Sequence, residues 1–101
     1  MAKSRSVSMN LFVTDLSDSA MLGAEFLPRG KFTVVLDYPL ESDYAFVVYG
    51  PMTAFDVAVK IAKAYRKIPQ ENWIGHDIDD LVIEGIKVDL VKKIVRPEIG
   101  S

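Results

Sequence analysis

Residues 31–69 read KFTVVLDYPLESDYAFVVYGPMTAFDVAVKIAKAYRKIP, and the hydrophobic period changes inside them. Lys31–Asp37 and Tyr44–Gly50 are short runs rich in β-branched and aromatic residues, joined by the connection YPLESD. Such side chains pack well on a pleated surface, so two antiparallel strands are expected. After Pro51 the spacing becomes helical. Phe55, Ala58, Ile61, Ala62, Tyr65 and Ile68 share one face, while Asp56, Lys60, Lys63 and Lys67 repeat on the other. Thr53 is the expected N-cap, with Asp56 in the first turn where the helix dipole favours an anion. Pro69, which lacks an N–H and disfavours helical geometry at Ile68, ends the expected helix of residues 53–67.

Upstream, SVSMNLFVTD places Val7, Met9, Leu11 and Val13 on one side and Ser6, Ser8, Asn10 and Thr14 on the other, the pattern of a half-buried strand. Phe12 is a lone aromatic on the polar side, and residues 1–5 are expected to be disordered. Leu16–Gly30 begins and ends in turn residues but carries Ala20, Met21, Leu22, Phe26 and Leu27. It is expected to be a short strand or helical turn covering a sheet edge. Downstream of the helix, LVIEGIKVD changes phase at Glu84 and Gly85: Leu81 and Ile83 share a side, and Ile86, Val88 and Leu90 share one. A bulge at the permissive glycine turns both sets to one core; a tight turn between two short strands is the competing reading. The tail VKKIVRPEIGS reads as a last strand, although Leu90, Val91, Ile94 and Val95 also fit a helical face, so residues 90–96 stay open between the two.

The expected fold is α+β, a small single domain over residues 1–101 with a mostly antiparallel sheet packed on one main helix. Its order is β-grasp-like, hairpin-helix-strand-strand, with an extra N-terminal strand. Ubiquitin-like modifiers share that plan, but their covalent transfer needs a terminal Gly-Gly where this sequence reads Ile99-Gly100-Ser101, so modifier activity is not expected.

Half of the 101 residues are hydrophobic and none is cysteine, which suits one core and excludes disulfides, thiol nucleophiles and cysteine-ligated zinc. The start alternates where a signal peptide would be continuously apolar, and no run of about 18 apolar residues is present to span a bilayer. A soluble cytoplasmic protein without membrane contact is expected. The net charge of −2 argues against nucleic acid as a partner. Charge is unevenly placed, with Lys60, Lys63, Arg66 and Lys67 against Asp56 in the helix, then Glu71, Asp77, Asp79, Asp80, Glu84 and Asp89 against Lys87.

WIGHDIDD, residues 73–80, holds the only tryptophan and the only histidine. His76, Asp77, Asp79 and Asp80 are the candidate ligands of a divalent metal, which would activate water. Their spacing is awkward. In an extended chain His76 and Ile78 point one way and Asp77 and Asp79 the other, leaving the two aspartates to share a hard cation with Glu71 or Asp80. An EF-hand is excluded, because Val82 stands where the loop needs glycine. Asp77 with Asp79, or Asp80 with Glu84, are the candidate acid–base pairs. No GxSxG surrounds a serine, and GAEFLPRGK has six residues between its glycines where a phosphate-binding loop has four. No cofactor is expected.

Read structurally, Trp73 and Ile74 anchor the chain after the helix, Gly75 turns it, His76 bonds a backbone carbonyl, and Asp77 or Asp79 caps a turn. Read as a recognition edge, Trp73, His76, Asp77, Asp79 and Asp80 form an acidic interaction surface, extended by Tyr38, Tyr44 and Tyr49. Because no complete catalytic constellation appears, the expected function is a non-catalytic interaction module that contacts another protein or self-associates through a sheet edge. The alternative is a metal-binding protein or small metal-dependent hydrolase using His76, Asp77, Asp79 and Asp80.

Overall fold

Two side chains set the start of the helix. Thr53 Oγ1 accepts from the Asp56 N–H at 3.0 Å and Asp56 Oδ2 accepts from the Thr53 N–H at 3.3 Å, a reciprocal capping box. The helix, α1, runs Ala54–Lys67 and buries Val57, Ala58, Ile61, Ala62 and Tyr65, a stripe of three-and-four spacing. Ile68 leaves helical geometry before Pro69, and Arg66 and Lys67 lie in the last turn where cations suit the dipole. The structure is a computed structural model and describes residues 3–16, 23–75 and 77–100.

Among the described residues five strands complete the α+β fold: β1 Ser4–Phe12, β2 Glu25–Leu36, β3 Tyr44–Thr53, β4 Val82–Asp89 and β5 Ile94–Gly100. They form one mixed sheet in the order β1-β4-β5-β2-β3, in which β2 and β5 run parallel and the other pairs antiparallel. Phe32, Val34 and Leu36 of β2, Ile83, Ile86 and Val88 of β4 and Val95 of β5 are buried in the core with the stripe of α1. Fully burying each such side chain stabilises by roughly 1.5–3 kcal/mol. Among the described residues no polar or charged residue is buried.

Several expectations need correction. Ser4 and Arg5 belong to β1, and the Arg5 guanidinium donates to the Phe26 carbonyl at 2.9 Å. From Glu25 the supposed covering segment is the start of β2, with Phe26 and Leu27 buried in the core; Ala20, Met21 and Leu22 lie outside the described residues. The register against β3 shifts twice between Glu25 and Gly30, which destroys the period of two that would have revealed a strand. Gly30, at φ 138°, occupies backbone space that side chains disfavour. β3 likewise continues through Pro51, which an edge strand tolerates because its missing N–H need not enter the ladder.

The phase change in β4 is a bulge. Ile83 pairs with Ile99 and Gly85 with Glu98, leaving Glu84 as the extra residue, so Ile83 and Ile86 are both buried. Glycine is required there, since a Cβ on Gly85 would stand 2.9 Å from the Val7 carbonyl oxygen. In the tail, Leu90–Lys93 form a turn and only from Ile94 is the chain a strand. Val91, part of the supposed helical face, is 69% exposed in that turn. Asp89 builds the turn: its Oδ1 accepts from the N–H groups of Val91 and Lys92, each at 2.9 Å.

Candidate functional site

The acidic segment follows α1 as two short 3-10 turns, Gln70–Asn72 and Ile78–Asp80. The first ties the helix end to the β2–β3 connection. Glu41 N–H donates to the Asn72 carbonyl and Ile74 N–H to the Pro39 carbonyl, both at 2.8 Å, while Asn72 Oδ1 accepts from the Ser42 N–H and hydroxyl. Trp73 is half-buried, its indole N–H donates to the Ile68 carbonyl at 3.2 Å, and its ring lies 5.7 Å from that of Tyr65. Tyr65 in turn donates from its hydroxyl to the Tyr38 carbonyl at 2.6 Å. Burial, assisted by the negative charge of Asp37, pushes the Tyr65 phenol far above the usual tyrosine range, which keeps it a proton donor. This tryptophan therefore spends its polar handle on anchoring the chain.

The candidate ligands sit beyond that anchor. Asp77, Asp79 and Asp80 are exposed, and His76 lies outside the described residues. The extended geometry assumed for WIGHDIDD does not occur at Ile78–Asp80, where the Asp80 N–H folds back to the Asp77 carbonyl at 3.0 Å and Asp80 Oδ2 lies 3.5 Å from the Asp77 nitrogen. Strand alternation thus gives no guide to which aspartates share a side. Among the described residues no three His, Cys, Asp or Glu side chains gather as a metal ion requires. Glu84 stands at the β4 bulge with its carboxylate against Gly100. Asp77 and Asp79 do border an open cleft of about 270 Å³ with Tyr65, Arg66, Ile68, Trp73 and Ile78, which joins aromatic, cationic and anionic groups but buries none of the carboxylates.

A second surface emerges from the strand order. Among the described residues β3 ends the sheet and pairs with β2 alone. Thr33 N–H donates to the Lys93 carbonyl at 3.0 Å, next to the β5 residue Ile94 with which Thr33 is in register. A strand residue directs its N–H and C=O to the same side, so Thr33 turns away from β3, and its cross-strand partner Val47 turns its own N–H and C=O outward. Period two gives Ala45 and Tyr49 the same outward backbone. Their side chains lie on the face opposite α1, where Val47 is 42% and Tyr49 69% exposed. Residues 44–50, YAFVVYG, carry no charge in a chain that is 26% charged.

Natural sheets blunt an edge with lysine, proline, bulges or covering chain, and, among the described residues, 44–50 show none of these against solvent. Of the tyrosines considered with the acidic surface, Tyr49 joins this edge. Tyr44 is half-buried on the helix side, its ring 6.3 Å from Phe46, and Tyr38 lies in the β2–β3 connection. Sequence reasoning named a sheet edge without locating it. The available signal was the uncharged run, but only strand order distinguishes an edge from a central strand. No protein-family model, curated protein or solved structure matches this chain. Among the described residues no helix is long and apolar enough to cross a membrane.

Proposed function

We propose that this protein is a small non-catalytic interaction module that takes up an extended strand of a protein partner along β3. The outward N–H and C=O groups of Ala45, Val47 and Tyr49, set in an uncharged and partly exposed strand, carry the reading. A partner strand gains main-chain hydrogen bonds there, and Val47 and Tyr49 supply apolar contact and selectivity. The β-grasp-like plan with an extra N-terminal strand belongs to the same proposal. It is supported by hairpin β2–β3, then α1, then β4 and β5, with β5 parallel beside β2 and β1 added outside β4. A cytoplasmic location also belongs to it, since a chain without cysteine has no disulfide to lose in a reducing compartment.

The test is Val47→Lys, which puts a charge in the middle of the edge without touching the core. A partner recovered from native extract by the unaltered protein should be lost to the variant, and hydrogen exchange at the Ala45, Val47 and Tyr49 amides should slow in the complex. Equal recovery by both proteins refutes the edge as the site. The same experiment on an Asp77, Asp79, Asp80 triple alanine variant distinguishes the acidic turn, which this reading leaves uninvolved.

A further inference from the structure

We propose that the strand taken up by β3 is β3 of a second copy, antiparallel and centred on Val47, so that two sheets join about a two-fold axis. This rests on the edge reading above and adds the occupant. The uncharged run 44–50 has Val47 at its midpoint. Antiparallel pairing about that residue sets Val47 opposite Val47 and Ala45 opposite Tyr49, twice. These are the three positions whose N–H and C=O groups point outward, so each opposed pair can exchange both hydrogen bonds.

Side-chain sizes fit the same register. The Tyr49 ring of each copy meets the small Ala45 of the other on the open face, and on the helix side Tyr44 meets Gly50 and Phe46 meets Val48. Neighbouring in-phase registers are poorer. Centring on Phe46 sets Tyr49 against Asp43, and centring on Val48 sets Ala45 against Pro51, which has no N–H to give. Charge agrees as well. Exposed Glu41 and Asp43 precede β3, while exposed Arg29 and Lys31 flank its other end on β2, with Lys31 in register with Tyr49. Antiparallel association brings the acidic approach of one copy toward the basic flank of the other at both ends. Such an interface is self-complementary and closes on itself, so it yields a dimer and not a filament.

The absence of cysteine from the chain makes the register directly measurable. Light scattering of the unaltered protein should give twice the 11.3 kDa chain mass at high concentration, falling toward 11.3 kDa on dilution. Val47→Cys should form a disulfide dimer on mild oxidation, because directly opposed hydrogen-bonded residues lie about 5.5 Å apart at Cα, within disulfide range. Ala45→Cys alone should stay uncross-linked, its two copies being offset by roughly 13 Å along the strands. Mixed with Tyr49→Cys it should cross-link. A mass of one chain at every concentration overturns the proposal, as does a dimer in which Val47→Cys remains reduced. If a single-chain mass accompanies a different protein that Val47→Lys releases, the second copy is refuted and the edge stands. If Val47→Lys, folded by its circular dichroism and melting curve, changes neither association nor recovery, both ideas fall.

Discussion

Strand β1 borders the sheet as SRSVSMNLF and β3 borders it as YAFVVYGPMT, each with one neighbour among the described residues. β1 carries Arg5, three serines and Asn10, its register against β4 shifts between Ser8 and Leu11, and Arg5 is spent on the Phe26 carbonyl. These features twist an edge, charge it and occupy its side chains, the usual means of keeping foreign strands away. β3 offers seven uncharged residues and an unshifted register from Gly30–Gly50 to Leu36–Tyr44. Within one sheet, then, one border carries blunting features and the other, among the described residues, carries none over 44–50.

The largest effect should come from closing the room beneath β1. Gly85→Val drives a side chain into the Val7 carbonyl and should cost about 2–3 kcal/mol in urea unfolding, as overpacking does elsewhere. A loss under about 1 kcal/mol would mean that β1 does not depend on its close seat on β4. Next comes Arg5→Ala, which removes a charge-assisted donor from Phe26 and should cost about 1 kcal/mol while leaving association untouched. Should it change association, β1 is not the closed border described.

Helix and hairpin were legible because local rules decide them. Thr53 with Asp56 and Pro69 bracket α1 by hydrogen bonding and steric exclusion within a few residues, and the phase change at Glu84 and Gly85 records the bulge directly. The start of β2 was hidden, since Pro28, Arg29 and Gly30 interrupt the alternation while the strand continues through them. WIGHDIDD was legible as an anchored turn after the helix: Ile78–Asp80 turns, and Trp73 is held by Tyr65 and Ile68. Which carboxylates share a side was not legible, because the strand alternation used to separate them does not apply in a 3-10 turn. The open border was illegible in principle. YAFVVYG reads the same in the middle of a sheet as at its side.

Two smaller effects sharpen the contrast. The Lys92 and Val91 N–H groups and the Lys92 charge hold the Asp89 carboxyl below its usual range against an opposing desolvation. A lowered folded-state value means the stabilisation is complete above the unfolded carboxylate value and is lost as pH falls through the folded one. Asp89→Ala should therefore weaken the β4–β5 turn at neutral pH, and acid titration of stability should show a shallower fall than in the unaltered protein. An unchanged acid limb would remove Asp89 from the account of that turn. Last, Val47→Lys should alter monomer stability by no more than about 0.5 kcal/mol, because the position is exposed. A larger loss would show that Val47 serves the fold, and that β3 is open only in appearance.

The parallel contact of β2 with β5 fixes the order in which the sheet can be completed. Thr33 and Val34 must wait for Ile94 and Val95, some sixty positions later in the chain, whereas β2 and β3 meet across a short connection. Long-range parallel pairing is slow, because loop closure precedes any reward from contact. On a ribosome the hairpin thus emerges before the strand that pairs with β2, and that flank is covered only when β5 arrives. The interval of greatest aggregation hazard is set by β5, although the uncharged run lies in β3.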